Sequence, residues 1–109
     1  MFNTIFIESF NSKETKRNCY LNISSSFFSE RIAAELKPTN LMVLLCLCSF
    51  AEKEGIISAS QREIAKRSGL SKTTVNKAIN ELLEYRYKGT PIIFREFKGI
   101  QAVYILTRY

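Results

Sequence analysis

Lys72, Thr73, Asn76, Lys77 and Asn80 recur at a spacing that sets two cations, a hydroxyl and two amides on one side of a helix. Such a set can hold an extended polyanion. Ammonium groups pair with phosphate oxygens, while hydroxyl and amide groups bond phosphates or the donor and acceptor edges of base pairs in a major groove. Ser71, just before them, adds another hydroxyl, and Arg95 with Lys98 makes a second basic group further along. Covalent chemistry has fewer parts: the chain has no His, no Asp, no Gly-rich phosphate loop and no nucleophile beside an activator, so it reads as a non-enzyme without a cofactor. The competing reading of the five polar residues is the solvated face of an amphipathic helix, and the elements around them decide between the two.

Ser60 opens that frame. Its side chain can accept from the N–H of Glu63 while the Glu63 carboxylate reaches back to the N–H of Ser60, a capping box that starts a helix at Gln61. Ile64 and Ala65 turn inward, and Gly69 follows the last polar pair, where a left-handed residue ends a helix most cheaply as glycine. The first helix is predicted to stop near Ser68. Ser71 then caps a second helix from Lys72 to about Tyr85, in which Val75, Ala78, Ile79, Leu82 and Leu83 form one buried stripe. The five polar residues lie opposite that stripe.

With Ala65, Gly69 and Val75 at the small, turn and core positions, residues 61–80 resemble a helix-turn-helix. The resemblance extends to about residue 107, because the following segment is similar to the wing of the winged helix-turn-helix superfamily. Ala78, where a larger aliphatic is frequent, and the run Tyr85-Arg86-Tyr87-Lys88 depart from the commonest pattern. The wing is also legible in its own residues: 91–97 and 100–106 are β-branched and aromatic runs separated by Lys98-Gly99, the mark of a hairpin. Alternation puts Ile93, Arg95 and Phe97 on one face of the first strand and Ile92, Phe94 and Glu96 on the other, with Arg95 and Lys98 near the turn. The resemblance implies that the second helix reads a major groove through Ser71, Lys72, Thr73, Asn76, Lys77 and Asn80. It also implies that Arg95 and Lys98 carry the wing to the backbone or the minor groove, where basic side chains meet enhanced negative potential.

Charge favours the same half of the chain. Residues 60–109 hold ten Lys/Arg against four Glu and residues 1–59 six against six, so the whole net charge of +6 belongs to the segment bearing the motifs. Solvated lysines and arginines alone would give a basic face too; joined to the two motifs, they point to nucleic acid. A membrane-surface role lacks a helix with a basic face opposite Trp, Phe and Leu, and Trp is absent. The apolar run Leu41–Ala51 covers eleven residues, against roughly 20 needed to cross a bilayer, and reads as a buried helix. Without a signal-like start, the chain is expected in the cytoplasm.

Length and composition, 109 residues with 46% hydrophobic and 24% charged, suit one α+β domain. Its expected parts are an N-terminal strand or hairpin over 1–25, a helical part over 26–85 with the helix-turn-helix at 60–85, and a wing over 91–107. Residues 1–10 and 19–24 read as two strands flanking a polar stretch. Ser29 is expected to cap a short helix through Leu36, Lys37-Pro38 to break it, and Thr39 or Asn40 to cap a long apolar helix that ends near Gly55 and packs behind the motif pair. Residues 56–58 suit the small strand that pairs with the wing in winged proteins. The odd count of Cys19, Cys46 and Cys48 argues against a disulfide framework; they read as small core residues, and with no His a metal site lacks ligands. Only Cys19, near Arg17, has the basic neighbour that a redox thiol needs.

Phe2, Ile5, Phe6, Ile7 and Phe10 are too many apolar groups for a free tail. They cover either their own core or a second copy, and a two-fold homodimer reading paired half-sites is the preferred assignment. Lys13, Lys16 and Arg17 stand as a third phosphate contact or, more commonly for such loops, as a solvated tip. The function expected is sequence-specific binding of double-stranded DNA by a small transcriptional repressor. One alternative is a plasmid or mobile-element protein that marks a replication, segregation or transfer origin for a partner protein, hinted at by Lys, Asn, Ile, Ser and Phe usage typical of AT-rich genomes. The other is a protein-binding winged scaffold, against which Lys72, Lys77, Arg95 and Lys98 weigh.

Overall fold

The computed structural model describes residues 2–3, 7–11, 19–51 and 56–107. Three antiparallel strands open the chain: β1 (Phe2–Asn3), β2 (Ile7–Asn11) and β3 (Cys19–Ile23), in that spatial order. In the β2–β3 hairpin Ile7 faces Ile23 across the ladder and Asn11 faces Cys19. The first run is therefore two strands instead of one, and its expected tip residues Lys13, Lys16 and Arg17 lie outside the described residues. Ile7 is 2% exposed and belongs to the core of its own chain.

Two short helices follow, α1 (Ser26–Ser29) and α2 (Ile32–Leu36), where the caps suggest one helix starting at Ser29. Ser29 ends α1 and caps nothing. Arg31, left-handed at φ 65°, breaks the path between them. The break has a packing reason: Phe27 and Ile32 are both fully buried, yet five residues apart on one helix they would point about 140° from each other. Next comes α3 (Pro38–Ser49), which starts at Pro38 itself and not after Thr39 or Asn40. Proline suits the first helical position, where its missing N–H has no partner to lose. Lys37 caps α3 without a side-chain bond and holds φ 72°, ψ 159°, a conformation that side chains strain to adopt. The helix ends at Ser49, short of the expected Gly55, and Ala51 forms a bridge to Ile57.

Helix α3 is buried almost all round, as its composition requires: Val43, Leu44, Leu47 and Cys48 are fully buried and Cys46 nearly so. It packs against α4 (Gln61–Ser68) and α5 (Lys72–Glu84), with the strands β2 and β3 also against it. The last sheet joins β4 (Ile56–Ile57), β8 (Gln101–Leu106) and β7 (Ile93–Lys98), in the order β4-β8-β7. The expected small strand thus pairs with the wing, Ile56 opposite Ile105. The result is a mixed α+β winged arrangement.

Between α5 and the wing stands a hairpin that alternation merges into the wing's first strand: β5 (Arg86–Tyr87) and β6 (Thr90–Pro91), turned at Lys88 and Gly89 with φ 51° and 81°. The bend at Ile92 resets the alternation, so Ile92 and Ile93 are both buried instead of facing opposite ways. The backbone closes around that bend, Ile92 N–H donating to Tyr85 O and Thr107 N–H to Ile92 O. The aromatic-basic run that departs from the common pattern gains a purpose here. The Tyr85 hydroxyl donates to Glu35 Oε1 at 2.9 Å, and the Tyr87 hydroxyl to Glu30 Oε1, tying this hairpin to the α1–α2 region. The carboxylate of Glu30 also pushes the Tyr87 phenol above its usual range.

Candidate nucleic-acid interface

Local chemistry builds the two motif helices as their residues predict. Ser60 Oγ accepts from Glu63 N–H at 3.1 Å, and Glu63 Oε1 accepts from Ser60 N–H at 3.1 Å, closing the capping box. These bonds hold the Glu63 carboxyl below its usual range, with Arg67 adding a smaller contribution. Gly69 ends α4 at φ 78°, donating its N–H to Ala65 O, which a side-chain-bearing residue would do only under strain. Ser71 Oγ accepts from Thr74 N–H at 3.1 Å and starts α5. Val75, Ala78, Ile79 and Leu82 are buried, and Leu83 packs on the core from a half-buried position. Ala78, the departure from the common pattern, lies beside a cleft of about 390 Å³ between α5 and the start of α3, lined also by Pro38, Thr39, Thr73 and Lys77.

Lys72, Thr73, Asn76, Lys77 and Asn80 are all exposed on the opposite side of α5. Two of the six residues singled out around α5 have intramolecular work. Ser71 spends its hydroxyl on the cap, donating to Thr74 Oγ1 while accepting from Thr74 N–H, so its placement is that of a helix start. Asn76 Oδ1 accepts from Gln61 Nε2 at 2.9 Å, which leaves the Asn76 face rich in donors. Gln61 has no sequence signal for this role, because a bond between residues fifteen apart leaves no periodic trace; it sits half-buried at the first position of α4.

Two bonds locate the wing relative to α5. Gln101 Nε2 donates to Ser58 Oγ at 3.0 Å, and three residues on, Gln61 reaches Asn76. Since Lys98 pairs with Gln101 across the hairpin, the wing turn, the start of α4 and the second turn of α5 lie at one end of the molecule. That turn is Gly99-Ile100, one residue later than expected, with Gly99 at φ 65° in the first central position of a two-residue loop. Arg95 and Lys98 are both exposed but project from opposite faces of the hairpin: Arg95 pairs with Tyr104 and Lys98 with Gln101. The Arg95 guanidinium stacks 5.4 Å from the Phe97 ring.

Other cations differ in their freedom. Arg67 lies 3.7 Å above the Phe50 ring and donates to Ser49 Oγ at 3.1 Å, which fixes it at the C-terminal end of α3, where a helix dipole favours a cation. Arg62 and Lys66 are exposed along α4. Cys46 and Cys48 stay out of this surface: Cys46 donates to Ile64 O at 3.6 Å, and burial pushes its pKa up and that of Cys48 to about 12. No helix among the described residues is long and apolar enough to cross a membrane.

Comparison with known proteins bears on this geometry. A model of the helix-turn-helix domain matches residues 34–87, which span most of α2 and all of α3, β4, α4, α5 and β5. No curated protein and no solved structure matches the chain. The matched span stops short of the wing, whose likeness rests on the strand order and hairpin described above. Residues 34–87 of the chain therefore belong to the helix-turn-helix family of DNA-binding domains.

Proposed function

We propose that the protein binds specific double-stranded DNA as a two-fold homodimer and regulates transcription as a repressor. In this reading α5 lies in the major groove and the β7–β8 hairpin follows the flanking backbone or minor groove. The observation that supports it is the division of α5: its buried stripe is fully spent on the core, while Lys72, Thr73, Asn76, Lys77 and Asn80 all face solvent at the end of the molecule that also carries the wing turn. Lys72, Lys77, Arg95 and Lys98 supply phosphate contacts and salt-sensitive affinity, while Thr73 and Asn76 read base edges. Because Asn76 offers donors, its natural partners are base-edge acceptors such as guanine N7 and O6, thymine O4 or adenine N7. Ser71 starts the helix, its N–H and that of Lys72 being free of intrahelical bonds.

Selecting bound fragments from the source genome at near-physiological salt tests this, because such salt suppresses non-specific phosphate binding. Paired half-sites beside a promoter are expected. A clustered array at an origin-like region would instead assign the protein to replication, segregation or transfer, with a partner protein to recruit. No enrichment would favour a protein-binding scaffold.

A further inference from the structure

The wing turn is apolar where a hairpin tip in water is ordinarily polar. Ile100, a β-branched residue at the second central position of the loop, is 103% exposed, and Phe97 beside it is 64% exposed. Elsewhere on the molecule the large aliphatic residues of the wing are put to use: Ile93, Val103 and Leu106 are buried. Ile100 therefore carries a hydration penalty that no contact among the described residues relieves. Two cations stand behind it on the hairpin, Lys98 beside the turn and, three ladder pairs further back on the other face, Arg95 stacked against Phe97. An apolar point with cations behind it on either face of the hairpin fits a surface that is anionic at its rim and apolar within, and the minor groove of a DNA duplex has that character: phosphates line its edges and stacked bases form its floor. The bond from Gln101 to Ser58 and that from Gln61 to Asn76 set this tip at the same end of the molecule as the exposed face of α5, so both can reach one duplex.

We propose that the wing acts as an apolar wedge, with Ile100 entering the minor groove and prising apart a base step while Arg95 and Lys98 hold the phosphates on either side. The proposal rests on the reading of the chain as a DNA binder and adds to it a mechanical act: the bound duplex is kinked. Side chains that part base steps bend DNA by roughly 20–90°. Pyrimidine–purine steps, above all TA, unstack most readily, so the wing adds selectivity for a flexible step at a fixed distance from the bases read by α5.

The test uses the full chain and a duplex recovered by the fragment selection, labelled at both ends for energy transfer and carrying 2-aminopurine at successive positions in the flank. Affinity, end-to-end distance and 2-aminopurine emission are read from the same samples. The wild-type protein is expected to shorten the end-to-end distance and to raise emission several-fold at one flanking step. Ile100→Ser, whose hydroxyl suits this loop position, is expected to bind about three- to tenfold more weakly, with the distance returned to that of free DNA and the emission rise abolished. Wild-type binding without bending or emission change would overturn the wedge and leave the DNA-binding reading standing. Bending by Ile100→Ser equal to wild type would also overturn it. Failure of the wild type to bind any selected or random duplex would remove both readings. Ile100-dependent sedimentation with phosphatidylserine vesicles, together with no bend, would transfer the tip to a membrane surface and overturn the proposal as well.

Discussion

At the residue scale the surface divides into side chains with intramolecular partners and side chains without. Lys77 and Arg95 separate helix from wing: Lys77→Ala and Arg95→Ala are each expected to weaken binding to all duplexes and to lower the slope of log affinity against log salt by about 1, measured by fluorescence anisotropy across a salt series. If Arg95→Ala alone erased the preference for specific over random DNA, the reading element would be the wing and not α5. Ser71→Ala should cost about 1 kcal/mol of folding stability in denaturant titration, because it removes the cap that Thr74 N–H donates to. Glu63 gives a pH signature. Its folded pKa is depressed by the bonds with Ser60, so its contribution is complete above the unfolded value near pH 4.3 and is lost as pH falls through the lower folded value. Glu63→Gln keeps the box geometry and should flatten the decline of Tm in that acid range. The raised pKa values of Cys46 and Cys48 predict thiols inert to alkylation at neutral pH until the chain unfolds.

At the element scale, the helices that frame the site were legible because their signals are local. Ser60, Glu63, Gly69 and Ser71 act through backbone groups a few residues away, and each does in the structure what its type predicts. The breaks at Arg31 and Ile92 were not legible. Both arise from the need to bury neighbours such as Phe27 with Ile32, or Ile92 with Ile93, which no single periodicity allows. Leu82, fully buried on α5, should report the framework: Leu82→Ala is expected to cost about 2–5 kcal/mol in thermal or denaturant unfolding. Lys37→Gly should act in the opposite direction. Relief of a strained backbone worth about 1–3 kcal/mol outweighs the extra chain entropy of glycine, about 0.5–1 kcal/mol, so the substitution is expected to raise Tm.

At the scale of the whole molecule, the proposed mode makes charge and assembly govern affinity. The excess of positive charge in residues 60–109 predicts fast, salt-sensitive association with any duplex, on which the specific site must improve. A homodimer on paired half-sites predicts a sedimenting species of twice the 12.5 kDa chain mass and a loss of specific affinity on dilution below the dimer dissociation constant. Ile7 enters the core of its own chain, so part of the N-terminal sheet is engaged there and any second-copy contact must come from the remainder of the surface.

Sequence by itself determined the helix-turn-helix, the caps that start its helices, the buried stripe of α5 and the hairpin beyond it, because these depend on interactions between residues near in the chain or on one regular period. It also separated the polar face of α5 from its apolar one. The tertiary structure alone decided which polar groups on that surface are engaged: Asn76 by Gln61, Arg67 by Ser49 and Phe50, Gln101 by Ser58. It alone placed Arg95 and Lys98 on opposite faces and left Ile100 bare at the tip. The physical reason is range. A cap or a stripe is written within a few positions, whereas the partner of Gln61 and the exposure of Ile100 follow from where distant segments are brought by a shared core.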